Sequence, residues 1–86
     1  MTASYSLRMK RSAEKELRAI SPVELPKVVA RIHALAADPR PPGSQKMSGQ
    51  SRYRVRQGDY RVLYTVDDVE KVVEIVKIGH RREVYR

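Results

Sequence analysis

The sequence predicts an α+β fold in two layers: one strand, two helices, then a three-stranded antiparallel meander, with the helices packed on one face of the sheet. Three observations lead there. Apolar and polar residues alternate at a strand period of two over 5–10 and again through 53–79. Between those stretches the apolar residues recur at helical spacing. Gly58-Asp59 supplies a two-residue hairpin signal between the two clearest strand patterns.

Tyr5, Leu7 and Met9 alternate with Ser6, Arg8 and Lys10, which predicts the first strand. Ser12 is placed to cap a short helix that buries Ala13, Leu17 and Ile20. Ser21-Pro22-Val23-Glu24 has the form of a capping box with Pro at the first helical position. Leu25, Val28, Val29, Ile32, Leu35 and Ala36 then form one wide stripe on a helix ending near Ala37. Pro26 conflicts with that start, because it removes a backbone donor from the second turn; the helix either begins later or bends there. Asp38-Pro39-Arg40-Pro41-Pro42-Gly43 ends it. Lys46-Met47-Ser48-Gly49 reads as a short strand or the approach to one. Strands follow at 53–57, 60–67 and 71–79, with Asp67-Asp68-Val69-Glu70 as the turn before the last. No repeat or low-complexity stretch divides the chain, so residues 1–86 are expected to form a single domain with one core.

The chain carries 18 Lys and Arg against 10 Asp and Glu, a net charge of +8, which points to a polyanionic partner. Between Arg52 and Arg61 there are four arginines and only Asp59 in opposition. Cysteine is absent, which excludes disulfides and argues against a zinc finger or ribbon. His33 and His80 lack the spacing of a metal pair. No apolar run has the length of a membrane span and the first residues begin no signal peptide, so a soluble, cytoplasmic protein without a membrane partner is expected.

If Gly58-Asp59 closes a two-residue hairpin, Gln57 faces Tyr60, Arg56 lies opposite Arg61, and Arg54 lies opposite Leu63. Three guanidinium groups then converge on one patch of sheet. Like charges directly opposite one another destabilise a ladder unless something negative sits between them. Such a patch suits a phosphate; the competing reading is the wet face of an antiparallel hairpin. Ile78 to Arg86 adds further cations beyond the last strand. Strand parity from Arg81 puts His80 on the opposite face, and Tyr53, Tyr60 and Tyr64 read as packing residues.

The order of Tyr53-Arg54-Val55-Arg56, Gly58-Asp59-Tyr60-Arg61-Val62-Leu63-Tyr64 and Gly79-His80-Arg81-Arg82-Glu83-Val84-Tyr85 resembles the RelE/ParE toxin superfamily, and within it the RelE-type messenger-RNA interferases. The likeness also takes in Tyr5-Ser6-Leu7, Asp38-Pro39-Arg40 and Lys46-Met47-Ser48-Gly49. It implies the toxin of a type II toxin-antitoxin system, a ribosome-dependent endoribonuclease that cleaves messenger RNA in the A site and is restrained by a RelB-like antitoxin. By position, the family's catalytic arginines fall on Arg61 and Arg81, and its catalytic tyrosine on Tyr85. Arg54 and Arg56 take positions that are lysines in the best-known member, and Lys46 and Arg82 are expected to grip substrate. No cofactor or metal is implied. The two Lys-to-Arg departures matter, since a guanidinium does not give up its proton near neutrality and is a poor general base.

The expected chemistry follows from RNA's own 2′-hydroxyl nucleophile. Arg61 is assigned to the scissile phosphate, Arg81 to the leaving oxygen, and Arg54 and Arg56 to field and grip. Tyr85 is assigned to base stacking, to orienting the 2′-hydroxyl, or to taking its proton. Two alternatives stay open: a ParE-like toxin that poisons DNA gyrase, and a basic RNA- or ribosome-binding module without catalysis.

Overall fold

The structure, a computed structural model, describes residues 4–47 and 51–80. Its elements are β1 (Ser6–Met9), α1 (Arg11–Arg18), α2 (Leu25–Ala37), β2 (Gln45–Lys46), β3 (Arg52–Gln57), β4 (Tyr60–Asp67) and β5 (Val72–His80). They build a five-stranded sheet in the order β1-β5-β4-β3-β2. The meander β3-β4-β5 is antiparallel as predicted, while β1 lies parallel to β5, from Ser6 opposite Val72 to Met9 opposite Ile75. The predicted approach at 46–49 contributes β2, which pairs Gln45 with Arg54 and Lys46 with Tyr53. Ser48 and Gly49 lie outside the described residues.

Both helices cover one face of the sheet. Ala13 and Ile20 from the α1 region and Val28, Ile32 and Leu35 from α2 pack on Val55, Val62, Tyr64, Val73, Ile75 and Ile78. Each large aliphatic side chain buried this way contributes about 1.5–3 kcal/mol. Truncating Leu35, which is fully buried, would cost about 2–5 kcal/mol. The register slips between Leu63 and Tyr64: Leu63 faces Lys77, but Tyr64 faces Ile75, so Val76 is the extra residue of a bulge. That bulge lets both Ile75 and Ile78 face the helices while Val76 meets Leu63 and Met47 in a second small apolar cluster.

Two helix starts differ from the sequence expectation, each for a local reason. Ser12 does not cap α1. The Lys10 amide donates to the Ile75 carbonyl at 3.0 Å, so strand pairing sets the boundary, and the helix begins at Arg11 with extended Lys10 before it and no side-chain cap. At α2 the Ser21 carbonyl, rather than a capping hydroxyl, accepts from the amides of Glu24 (3.1 Å) and Leu25 (2.9 Å). The helix therefore begins late, at Leu25, and Pro26 falls in its first turn, where a missing N–H costs nothing.

Glu16 performs a task at the sheet edge. Strand β1 covers β5 only as far as Ile75, and just beyond it the Ile78 amide donates to Glu16 Oε1 at 2.9 Å while Lys77 Nζ meets Oε2 at 3.3 Å. A helix side chain thus occupies an edge donor that would otherwise invite another strand.

The segment after α2 is fastened by a polar network. Arg40 donates through both terminal nitrogens to Asp68 (3.2 and 2.8 Å) and through Nε to the Tyr53 hydroxyl at 3.0 Å. The Tyr5 hydroxyl also donates to Asp68, at 2.7 Å. Tyr53 stacks on Tyr64 at 5.8 Å between ring centroids, and the Tyr64 hydroxyl donates to the Pro39 carbonyl at 2.6 Å. The hydrogen bonds from Arg40, then that from Tyr5, hold the Asp68 carboxyl down at about 2, and burial pushes the Tyr64 phenol up to about 12.

Candidate functional site

The hairpin places the arginines where the sequence predicts. Gln57 faces Tyr60, Arg56 faces Arg61 and Arg54 faces Leu63. Gly58 has φ +60 and Asp59 is not left-handed, the pattern of a II′ turn, which wants glycine first. The Gly-Asp order is therefore the right one for this hairpin.

Arg61 departs from the picture of an open, solvated face: it is only 7% exposed, the sole charged residue among the buried ones described. It sits in the ladder between Arg56 and Gly79, and its Nη1 donates to the carbonyls of Tyr60 (3.3 Å) and Gly58 (3.5 Å). Backbone oxygens of its own turn thus supply part of the negative potential that the Arg56–Arg61 pairing requires. Arg54 donates to the side-chain carbonyl of Gln45, its partner on β2.

Arg54, Arg56 and Arg61 line one concave pocket of about 280 Å³ together with Gln45, Gly43 and Arg31. Strand β2 pairs only with Tyr53 and Arg54, so β3 continues past it, and the pocket opens there. Convergent guanidiniums of this kind match phosphate oxygens bidentately.

The other predicted positions separate. Lys46 is exposed and lies opposite Tyr53, so it leaves β2 on the side away from Gln45 and does not line this pocket. His80 lies opposite Tyr60 and meets its ring edge-on at 6.0 Å, on the face away from Arg61, as parity predicts. Arg81, Arg82 and Tyr85 lie outside the described residues. Sequence reasoning missed Gln45 and Arg31. Gln45 becomes legible once β2 is paired with Arg54. Arg31 left a signal in its spacing: it stands three residues after Val28 and four before Leu35, within the apolar stripe.

The profile of the family described as "ParE toxin of type II toxin-antitoxin system, parDE" matches residues 7–85. The chain belongs to the RelE/ParE toxin superfamily. It is 30% identical over 86 residues to Toxin RelG of Mycobacterium tuberculosis, covering 95% of this chain and 97% of that one. Among solved structures, the toxin in the RelE-RelB complex of Pyrococcus horikoshii is 28% identical with a TM-score of 0.81, over 96% of this chain and 99% of that one. The isolated RelE toxin of E. coli is 26% identical with a TM-score of 0.80, over 95% and 92% of the two chains. The chain is thus a type II toxin with the fold of the RelE toxins. Among the described residues no helix is long and apolar enough to cross a membrane.

Proposed function

We propose that this RelE/ParE toxin is an endoribonuclease that cuts messenger RNA in the ribosomal A site, and that a RelB-like antitoxin from its own operon restrains it. The observation that carries the reading is the gathering of Arg54, Arg56 and nearly buried Arg61 around one pocket on a preorganised hairpin. The likeness to a RelE toxin solved in complex with RelB supports the antitoxin half of the proposal.

In this mechanism the 2′-oxygen attacks the adjacent phosphorus and forms a new P–O bond as the bond to the 5′-oxygen breaks. One proton leaves the 2′-hydroxyl and one reaches the departing 5′-oxygen. Arg61 holds the non-bridging oxygens as their charge grows, and a donor of this kind is worth about 2.7–4 kcal/mol. Arg54 and Arg56 add field and hold the strand. Neither can serve as the base, because a guanidinium keeps its proton. Arg81 is assigned to the leaving oxygen. Tyr85 is assigned to orienting the 2′-hydroxyl or to accepting its proton. The ribosome contributes alignment, an effect worth about 7–11 kcal/mol in well-oriented systems.

The profile match to ParE toxins favours gyrase poisoning as the second reading. Primer extension on translated messages, with and without induced toxin, separates the two. Translation-dependent cuts within codons support the endoribonuclease, and growth arrest with intact messages and trapped DNA cleavage complexes supports the gyrase poison. Ribosome association without either lesion points to a non-catalytic binding module.

A further inference from the structure

We propose that Arg31, reaching from α2, is a second phosphate-binding residue of the arginine pocket. It would hold a neighbouring phosphate of the single-stranded RNA and so fix the register in which the strand meets Arg61. The proposal rests on the endoribonuclease reading and extends it to a residue outside the sheet.

The first ground is position. Val28 and Leu35, the neighbours of Arg31 at helical spacing, are fully buried, so Arg31 starts from the core-facing side of α2. An arginine there keeps its stem among apolar groups and sends its head to the nearest polar opening. That opening is the pocket, which Arg31 lines with the three sheet arginines. The second ground is an incomplete hydrogen-bond set: Arg31 Nε is buried and has no partner among the described residues. Buried polar groups are nearly always satisfied, so an orphaned donor of a charged group beside a pocket points to an acceptor that arrives with a ligand. The third ground is the loop above it. Gly43 adopts φ +91, a turn that favours glycine, and it sets the loop beside the Arg31 head: a Cβ built there would stand at ordinary contact distance, 3.9 Å, from Nη2.

Charge then decides what the pocket takes. A phosphodiester carries one negative charge and two non-bridging oxygens, and one bidentate guanidinium already engages both. Four guanidiniums approaching from a strand pair and from a helix carry more positive charge than one phosphodiester neutralises. Two successive phosphates of a strand are the matching ligand, and the pocket, at about 280 Å³, lies close to the lower end of small-ligand size.

The test uses the full chain and a short 2′-O-methyl RNA that cannot be cleaved, with affinity measured over a range of salt. Arg31→Met removes the charge while keeping an apolar stem, and Arg31→Lys restores a point charge. Losing one phosphate contact should lower the slope of log K against log salt by about 0.7 in Arg31→Met. KM on programmed ribosomes should rise roughly tenfold with kcat within about twofold, the size expected for one charge-assisted contact. Arg31→Lys should recover the slope. An unchanged slope in Arg31→Met overturns the proposal, as does a fall in kcat without a change in slope, which would mark a purely structural residue. If Arg31→Met impairs antitoxin capture and leaves RNA binding intact, the second anion is a protein carboxylate and the proposal also fails. A wild-type chain that binds the RNA with the expected slope but cuts no message would sink the endoribonuclease reading and leave the Arg31 assignment standing.

Discussion

Removing the Arg61 side chain is the sharpest perturbation, because its effects on stability and on chemistry should differ widely. In Arg61→Ala the hydrogen bonds to the Gly58 and Tyr60 carbonyls are lost, but at 3.5 and 3.3 Å they are long. Together they are worth about 1 kcal/mol. Relief of the like-charge pairing with Arg56 returns about 0.2–1 kcal/mol. Those two effects nearly cancel, so what remains is the packing of the buried side-chain stem, about 0.8 kcal/mol for each CH₂ lost, with the melting temperature falling by about 4–8 °C per kcal/mol in a domain this size. The chemical effect is larger. At 7% exposure the guanidinium is shielded from water, so its bond to the phosphate approaches the strength of an oxyanion-hole donor. Loss of such a donor slows cleavage by about 10²–10³-fold. Single-turnover cleavage on programmed ribosomes measures the rate, co-sedimentation measures association, and a thermal melt checks the fold. Cleavage at the wild-type rate in Arg61→Ala would refute the assignment. A melting temperature lowered by tens of degrees would refute the claim that the residue is chemically rather than structurally important.

Three further outcomes are expected. Arg54→Lys and Arg56→Lys should keep much of the cleavage rate if these residues supply only field and grip; a rate above wild type would mean that the new amine accepts the 2′-hydroxyl proton, and a near-total loss would show that bidentate geometry is required. Because Asp68 has a folded-state pKa of about 2, below the ordinary value of about 3.9, the stabilisation it brings is whole above about pH 4 and disappears as pH falls toward 2. Asp68→Asn should flatten the melting temperature against pH in that window, and an identical acid slope would remove Asp68 from the account. Tyr64→Phe abandons the buried Pro39 carbonyl and should cost about 1–3 kcal/mol by urea titration. The same change should remove the part of the alkaline loss of stability that Tyr64 brings between pH 10 and about 12, where its phenol ionises in the unfolded chain before the folded one.

Much of this was legible in the residues. The II′ turn at Gly58 and the alternation on either side of it left one sensible register, because a slip of β3 by one would have exposed Val55 and turned Arg54 and Arg56 toward the core. What the sequence hid was set by long-range contacts. Nothing local in Ser6–Met9 reveals that the strand runs parallel to β5, or that its pairing with Ile75 moves the start of α1 to Arg11. The bulge at Val76 breaks the simple alternation of β5 and is visible only against β4. Glu16 reads as one more exposed helix charge until Ile78 is beside it. For the site, Arg54, Arg56 and Arg61 follow from period two alone, whereas Arg31 needed the loop at Gly43 to bring α2 and the sheet edge together.

The parallel pairing of β1 with β5 also imposes an order of events on a nascent chain. Ser6 cannot find its partner until Val72 has been made, so the first strand waits through both helices and the whole meander. The β3-β4 hairpin needs no such delay: its ends are adjacent in the chain, and structures of that kind close in roughly 1–10 μs. The arginines of the pocket's sheet wall can therefore be aligned early, while the core beneath them is still unclosed. Closure of β1 against β5 is the slow step that topology predicts, because its contacts span most of the sequence. Until then the far edge of β5 is bare, and its unpaired amides and carbonyls are the surface through which half-made copies of this toxin would find one another.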